Sequence, residues 1–162
     1  MIRLATIGTN FITDWLMEGI LELDEIQLTA VYSRNLEKGK QFAAKYNVEK
    51  VYDNYEEMAK DPEIDAVYVA SPTYLHYAHS ITMINYGKHV LCEKSITLNF
   101  DELKEAIDLA KENNVVLAEA MTIYHMPIYK ALNDKIKSGD LGELKLLQMN
   151  FGSYKEYNMN NR

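Results

Sequence analysis

The feature that most constrains the fold is a regular alternation of short apolar runs with longer segments of helical period. The short runs are rich in Val, Ile, Leu and Tyr and show little polar alternation, which is typical of strands covered by helices on both faces. They predict strands over residues 2–7, 26–32, 50–52, 65–70, 89–92 and 115–121. Helices are predicted between them, over residues 11–21, 36–46, 55–60, 74–86 and 100–113.

Local signals support two of these helix boundaries. Asn99 is suited to cap the fifth helix, and Glu102 follows at the spacing of a capping box. Gly87 suits the left-handed position that closes the fourth helix. Strands and helices alternate as far as residue 121, and such a pattern requires right-handed crossovers. The sequence therefore predicts an α/β fold, a Rossmann-like doubly wound parallel sheet, in a first domain of residues 1–121.

The pattern changes after residue 121. A helix is predicted over residues 127–137, with Pro127 suited to its first turn, and a strand is predicted over residues 144–151. Because a doubly wound domain is already complete, residues 122–162 are expected to begin a second α/β domain that this chain leaves incomplete. An exposed strand at 144–151 would favour self-association. The polar residues 154–162 are expected to form a frayed end.

Composition excludes several classes of partner. The net charge is −7, the pI is about 5.1, and no cluster of Lys and Arg is present, so a nucleic-acid partner is not expected. No apolar run approaches the roughly 18 residues of a membrane span, and the N-terminus lacks the pattern of a signal peptide. The single cysteine, Cys92, has no intrachain partner, which fits a reducing compartment. We expect a cytoplasmic protein, and the overall charge does not exclude a local basic site for one small anion.

Ligands of open parallel sheets bind beyond the carboxyl ends of the strands, where the strand order reverses. After the first strand, Gly8 allows a sharp turn, and the helix start behind it offers free N–H groups to a pyrophosphate. The fingerprint G-x-G-x-x-G keeps only this first glycine, with Asn10 and Thr13 in the other places. Asn10 is a candidate to replace the second glycine because Asn tolerates left-handed backbone. A plain turn with an Asn cap explains the sequence equally. The cofactor-binding candidates here are Gly8, Thr9, Asn10, Phe11 and Ile12.

Ser33 and Arg34 follow the second strand, with Lys38 one turn further on. An NAD-specific site places Asp or Glu here to bind the adenosine ribose hydroxyls. A carboxylate would repel a 2′-phosphate, whereas a hydroxyl, a guanidinium and an ammonium would hold one. These residues therefore favour NADP over NAD as the cofactor. The alternative is a solvated helix start with ordinary surface cations.

A turn with Pro72 follows the fourth strand. Pro72 forces Ser71 into an extended conformation, and Ser71 and Thr73 are candidates to cap the next helix or to contact a cofactor ribose. Ala70, Pro72 and His76 complete the cofactor-binding candidates of this segment. His76 and His79 are close in sequence, but no Cys, Asp or Glu stands at a matching spacing, so no metal site is expected.

Glu93 and Lys94 follow the fifth strand. A lysine desolvated at the mouth of an apolar sheet has its charged form disfavoured, which lowers its pKa toward a value useful for proton transfer. Glu93 is a candidate to orient Lys94 or to bind ribose hydroxyls. The alternative is a surface ion pair at a strand end.

In combination, these positions resemble the Gfo/Idh/MocA family of oxidoreductases over nearly the whole chain. The resemblance rests on the order and spacing of Ile7-Gly8-Thr9, Tyr32-Ser33-Arg34, Ser71-Pro72-Thr73 with Leu75-His76, Leu91-Cys92-Glu93-Lys94, Glu119-Ala120-Met121, and the segment of residues 136–143. The family has a Glu-Lys-Pro motif, whose lysine is matched by Lys94 and whose proline is replaced by Ser95. Tyr124 stands where an arginine is frequent.

The resemblance implies a two-domain enzyme that pairs through a mostly antiparallel sheet in its C-terminal domain. It implies hydride transfer between NADP or NAD and a sugar, polyol or related hydroxy compound, with Lys94 as the catalytic residue beside the nicotinamide. Glu119 joins the cofactor-binding candidates on the same basis. Because family members also use residues of the second domain, this chain is expected to bind dinucleotide better than it catalyses.

Two other functions fit the same sequence. One is a non-catalytic dinucleotide-binding module, such as a redox sensor or regulatory protein on the same fold, because fold alone does not determine function. Glu93-Lys94 at the catalytic strand end favours the enzyme over this reading. The other is a flavodoxin-like interaction domain without a dinucleotide, which the incomplete glycine fingerprint favours and the remaining matches oppose.

Overall fold

The structure, a computed structural model, describes residues 1–150 and residue 152. It divides into two compact units, Met1–Met121 and Thr122–Arg162. The strands of the first unit are β1 Ile2–Ile7, β2 Ile26–Tyr32, β3 Lys50–Tyr52, β4 Ala66–Val69, β5 His89–Cys92 and β6 Leu117–Glu119. Its helices are α1 Phe11–Ile20, α2 Leu36–Lys45, α3 Tyr55–Lys60, α4 His76–Asn85 and α5 Phe100–Glu112.

All six strands form one parallel sheet in the order β3-β2-β1-β4-β5-β6. The strand order reverses between β1 and β4, which lie side by side although most of the first half of the unit separates them in sequence. This is the order of a dinucleotide-binding doubly wound sheet. It confirms the predicted fold class and places the ends of β1 and β4 at the switch point.

The core consists of two apolar layers, one on each face of the sheet. Successive side chains of a strand point to opposite faces. In β4, Val67 and Val69 therefore pack into one layer and Tyr68 into the other. Met83 of α4 is in the first layer, and Met17 of α1 is in the second. The near-continuous apolar strands of the sequence are explained by this two-sided cover.

Asparagine caps begin four of the five α-helices of the first unit, and α4 is the exception. Asn10, Asn35, Asn54 and Asn99 each stand directly before a helix and accept backbone N–H groups of its first turn. The predicted cap at Asn99 is confirmed, with the Glu102 N–H donating to Asn99 Oδ1 at 2.9 Å. The predicted left-handed glycine is also confirmed, since Gly87 has φ +71°.

Some predicted boundaries are wrong by a few residues. The predicted helix at 74–86 begins as a 3₁₀ turn, Thr73–Leu75, and becomes α-helical only from His76 to Asn85. The predicted strands at 65–70 and 115–121 shorten to β4 and β6. β4 pairs with both β1 and β5 over Ala66–Val69, and β6 pairs with β5 over Leu117–Glu119. A ladder extends only as far as the neighbouring strand allows.

The second unit begins with a 3₁₀ turn, Thr122–His125, and a helix, α6 Pro127–Lys137, whose bounds match the prediction. The predicted strand at 144–151 is wrong for residues 144–150, which form no strand, while residue 151 lies outside the described residues. A strand needs a neighbour to satisfy its backbone groups, and the described part of this unit supplies none. The predicted frayed end at 154–162 also lies outside the described residues. No helix of the described chain is both long and apolar enough to cross a membrane.

Candidate functional site

A cleft of about 630 Å³ lies at the carboxyl edge of the sheet, over the switch point. Its volume is within the range of small-molecule sites. It is lined by Ile7, Gly8, Thr9, Asn10, Tyr32, Ser33, Arg34, Asn35, Lys38, Ala70, Ser71, Pro72, Leu75 and His79. The loops after β1, β2 and β4 therefore meet at one site, although they are far apart in sequence.

Most of the candidate cofactor-binding residues line this cleft, and the rest do not. Those that line it are Gly8, Thr9, Asn10, Ser33, Arg34, Lys38, Ala70, Ser71 and Pro72. Those outside its lining are Phe11, Ile12, Thr73, His76, Glu93, Lys94 and Glu119. Phe11 is an example, since its ring is exposed and meets Trp15 edge to face at 5.0 Å.

Gly8 joins the first loop to the end of β4. Its φ is +115°, and a Cβ added there would lie 2.6 Å from the Ala70 carbonyl oxygen. Its N–H donates to the Tyr32 carbonyl oxygen at 3.2 Å. Only glycine satisfies both the dihedral angle and the close approach. The backbone after β1 is thus held tightly between the ends of β2 and β4.

Asn10 does not replace a left-handed glycine, and that expectation is wrong. Its φ of −93° and ψ of 176° are extended, and its Oδ1 accepts the Ile12 N–H at 2.9 Å. Its Nδ2 donates to the Ala70 carbonyl oxygen at 3.0 Å. Thr13, in the third glycine position, is buried and donates its hydroxyl to the Gly8 carbonyl oxygen at 3.3 Å. Asn10 is therefore a helix cap that also ties α1 to β4, as the alternative reading held.

The loop after β2 places two cations at the cleft. Ser33 is buried, and its Oγ accepts the Asn35 N–H at 3.3 Å. Arg34 and Lys38 are exposed, and neither forms a salt bridge with a residue that the structure describes. None of the described lining residues is an Asp or a Glu. The cleft is therefore positive although the chain as a whole carries a net charge of −7.

The helix α2 approaches this loop closely through Gly39. A Cβ added to Gly39 would lie 2.8 Å from Val51 Cγ1 and 3.1 Å from Ser33 Cβ. This contact fixes the start of α2 against the end of β2, beside the exposed Arg34 and Lys38. Gly39 was not among the predicted site residues, although a glycine inside a helical pattern is a signal of close packing.

An aromatic cluster, made of Tyr32, Tyr55 and His79, packs beside the cleft. The His79 ring lies 4.7 Å from the Tyr55 ring and 5.9 Å from the Tyr32 ring, and His79 Nδ1 is 2.9 Å from Ser71 Oγ. Burial, reinforced by the nearby Arg34 guanidinium, lowers the pKa of His79 to about 4. His79 is therefore neutral at physiological pH. It lines the cleft although the sequence analysis considered it only as a metal ligand.

The residues after β5 are arranged differently from expectation. Lys94 is exposed, so residues 1–150 do not supply the desolvation predicted for its ammonium group. Glu93 forms no salt bridge with Lys94 among the described residues. Instead, Glu93 Oε1 accepts the Tyr68 hydroxyl at 2.6 Å, and its Oε2 accepts the Lys94 backbone N–H at 3.3 Å. The Lys94–Ser95 peptide bond, at the position of the family's Lys-Pro pair, is cis.

His76 and Glu119 contact backbone rather than the cleft. The His76 ring is 1% exposed, with Nδ1 2.8 Å from the Ser95 carbonyl oxygen and Nε2 2.8 Å from the Ser71 carbonyl oxygen. Glu119 Oε1 accepts the Ile96 N–H at 2.9 Å. Each side chain thus contacts the backbone of the loop after β5, and direct contact of His76 or Glu119 with a cofactor stays a prediction.

A parallel sheet of this order, with a positive cleft at its switch point, defines a dinucleotide-binding Rossmann domain. A family profile described as "Oxidoreductase family, NAD-binding Rossmann fold" matches residues 2–121. The chain belongs to this family, the Gfo/Idh/MocA oxidoreductases.

Two dehydrogenases and one crystal structure illustrate what the chain is similar to. The chain is 48% identical over 132 residues to scyllo-inositol 2-dehydrogenase (NADP(+)) IolU of Bacillus subtilis (strain 168), covering 82% of this chain and 40% of the relative. It is 37% identical over 127 residues to trans-1,2-dihydrobenzene-1,2-diol dehydrogenase of Xenopus laevis, covering 78% and 38%. The crystal structure of KijD10, a 3-ketoreductase from Actinomadura kijaniata, in complex with NADP aligns with a TM-score of 0.79 and 28% identity, covering 88% and 45%. The chain thus spans less than half the length of each.

Proposed function

We propose that this chain is the cofactor-binding part of an NADP-dependent oxidoreductase. The reaction is hydride transfer between the nicotinamide and a carbinol carbon of a sugar, polyol or related hydroxy compound. The observation that carries the proposal is the positive, carboxylate-free cleft at the end of β2, formed by Ser33, Arg34 and Lys38. Two relatives, an NADP(+)-dependent inositol dehydrogenase and a ketoreductase crystallised with NADP, support the cofactor and the substrate class.

The preference for NADP follows from charge. A 2′-phosphate on the adenosine ribose is an anion, and a guanidinium binds such an anion through two parallel hydrogen bonds. Arg34 and Lys38 have no carboxylate partner among the described residues, so both charges are available to a ligand. An NAD-specific site would have a carboxylate at this strand end.

The remaining lining residues fit the rest of a dinucleotide. Gly8 brings bare backbone to the switch point, and Thr9 and Asn10 stand at the start of α1, where a helix favours a pyrophosphate. Asn10 Oδ1 already accepts the Ile12 N–H, so an anion bound at this position would share that N–H with Asn10 or displace the Asn10 side chain from it. Ala70, Ser71 and Pro72 line the cleft at the end of β4, and we assign this part of the cleft to the nicotinamide half of the dinucleotide.

Lys94 is the proposed catalytic residue. The bound cofactor supplies the hydride acceptor or donor, and the protein fixes the distance and orientation of the reactants. Lys94 is the second residue after β5, which pairs with β4, and its exposed ammonium group is free to exchange a proton with the substrate oxygen.

Assembly and location follow from the same proposal. Pairing through the second domain would make the complete enzyme a homo-oligomer, as the family resemblance implies. A cytoplasmic location is supported by the single, buried, unpaired Cys92.

A titration with NADPH and separately with NADH, followed by nicotinamide fluorescence, tests the cofactor site. Arg34→Ala is expected to weaken NADPH binding about tenfold or more and to leave NADH binding within about twofold, because a hydrogen-bonded charge contact is lost only with the 2′-phosphate. Lys40→Ala is the matched control, since Lys40 is an exposed cation of the helix that follows Arg34 but pairs with Glu37 and does not line the cleft. Equal weakening of both nucleotides by Arg34→Ala would refute the placement of the 2′-phosphate.

Lys94→Met in the full-length gene product tests catalysis separately. The variant is expected to bind NADPH as the wild type does and to lose turnover of a polyol such as scyllo-inositol. Full turnover in Lys94→Met would remove Lys94 from the mechanism, and a full-length protein without any dehydrogenase activity would favour a non-catalytic sensor.

A further inference from the structure

We infer that Tyr68, His76 and Glu119 form a clamp that holds the loop of residues 93–96 and thereby positions Lys94. The inference rests on the proposed function, because it assigns a purpose to the position of Lys94. None of the three side chains lines the cleft, so they act through the loop and are positioning residues rather than catalytic residues.

Tyr68 holds the first residue of the loop. Its ring is 2% exposed within the layer between the sheet and α1, and its hydroxyl donates to Glu93 Oε1 at 2.6 Å. Burial, and then the hydrogen bond to Glu93, raises the pKa of Tyr68, so the phenol stays a donor at any working pH. The other Glu93 oxygen accepts the Lys94 N–H. The carboxylate is therefore anchored at both oxygens, directly before Lys94.

His76 ties the loop to the wall of the cleft. Its two ring nitrogens face the carbonyl oxygens of Ser95 and Ser71, each at 2.8 Å. Carbonyl oxygens only accept hydrogen bonds, so the His76 ring lies between two backbone acceptors. Ser71 lines the cleft and Ser95 follows Lys94, so one buried ring couples the proposed cofactor wall to the loop that carries the proposed catalytic residue.

Glu119 fixes the far end of the loop. It is the last residue of β6, and its Oε1 accepts the Ile96 N–H at 2.9 Å. Ile96 is itself an apolar anchor, 8% exposed. The backbone is therefore held before and after Lys94, while the Lys94 side chain has no hydrogen-bond partner in the described part of the chain. Such an arrangement orients a reactive group and leaves it free to react.

A matched pair of tyrosine variants in the full-length enzyme tests the clamp. Tyr68→Phe keeps the buried ring and removes only the bond to Glu93. Tyr52→Phe is the control, because the Tyr52 hydroxyl donates to Asp61 Oδ2 at 2.8 Å and Tyr52 does not line the cleft. Tyr68→Phe is expected to lower kcat about tenfold or more, with the Kd for NADPH within about twofold, because only the reacting geometry is disturbed. Tyr52→Phe is expected to change kcat by less than about twofold.

Variants of Glu119 provide a second measurement in case Tyr68→Phe does not fold. Glu119→Ala removes the acceptor of the Ile96 N–H and is expected to lower kcat, whereas Glu119→Gln retains an acceptor oxygen and is expected to restore most of the loss. The clamp is overturned if Tyr68→Phe has the same kcat as Tyr52→Phe and Glu119→Ala has the same kcat as Glu119→Gln. The proposed function still stands in that case, provided that Lys94→Met abolishes turnover. If Lys94→Met keeps its turnover, the proposed function fails first.

Discussion

Replacing Gly8 with alanine tests whether the switch point is as tightly packed as the structure indicates. The substitution adds one methyl group at a φ of +115°, a conformation that residues with a Cβ rarely adopt. That methyl group would lie 2.6 Å from the Ala70 carbonyl oxygen. The oxygen cannot retreat freely, because it accepts the Asn10 side chain at 3.0 Å and the Ala70 N–H donates to Ile7 at 2.8 Å.

The expected cost has two parts. Holding a residue with a Cβ in a sparsely populated backbone region costs about 1–3 kcal/mol. Overpacking against a backbone atom costs a further ~1–3 kcal/mol. The free energy of unfolding should therefore fall by roughly 2–6 kcal/mol, a large part of the ~5–15 kcal/mol that stabilises a typical domain.

Urea unfolding of the purified chain, followed by far-ultraviolet circular dichroism, measures this loss. Gly19→Ala is the matched control, because a Cβ added to Gly19 in α1 meets nothing within 4 Å. Alanine is a better helix former than glycine, so Gly19→Ala should leave stability unchanged or raise it by up to about 1 kcal/mol. A Gly8→Ala variant within about 0.5 kcal/mol of the wild type would show that the loop relaxes and would refute the packing argument.

Three further predictions concern stability and reactivity. Burial alone would raise the pKa of Asp61, but hydrogen bonds from Lys50, the Glu63 N–H and Tyr52 lower it to about 2. The ionised Asp61 therefore contributes ~2 kcal/mol to the free energy of unfolding above about pH 4, and this contribution is lost as the pH falls toward 2. The difference in urea stability between the wild type and Asp61→Asn should shrink over that range. A constant difference would contradict this. Asn10→Ala should lower the free energy of unfolding by about 1 kcal/mol because the cap of α1 is lost, and Asn10→Ser should lower it less because serine also caps helices. Equal losses in the two variants would argue against capping. Burial raises the pKa of the Cys92 thiol to about 12. An aromatic disulfide at pH 8 should therefore react with Cys92 at least about a hundredfold more slowly in the folded than in the unfolded chain. Equal rates would disprove the burial of Cys92.

The fold could be predicted from sequence because its signals are local. Each strand of the first unit is an apolar run that both faces of the sheet bury, and each capped helix starts directly after an asparagine. The loops after β1, β2 and β4 were predicted to meet because the carboxyl ends of parallel strands share one edge. Their residues Gly8, Arg34 and Ser71 do line one cleft.

The errors arose where a distant partner determines the conformation. Asn10 tolerates both a left-handed and an extended backbone, and its contacts with the Ile12 N–H and the Ala70 carbonyl oxygen select the extended one. The apolar run at 144–150 has the composition of a strand, but a strand forms only beside another strand. Local pattern carries no information about whether such a partner is present.

The sequence by itself determined the class of fold, the strand ends that carry chemistry and the positive charge beside the second strand. Those features depend on periodicity, caps and residue type, which are properties of short segments. Only the tertiary structure decided which candidates face the cleft and which hold the loop around Lys94. His76 and Glu119 stand near strand ends in the sequence, yet they bind the backbone of Ser71, Ser95 and Ile96. The physical reason is that a buried polar side chain binds whichever donor or acceptor the folded chain brings within reach, and that neighbour is set by the packing of β4, β5 and β6.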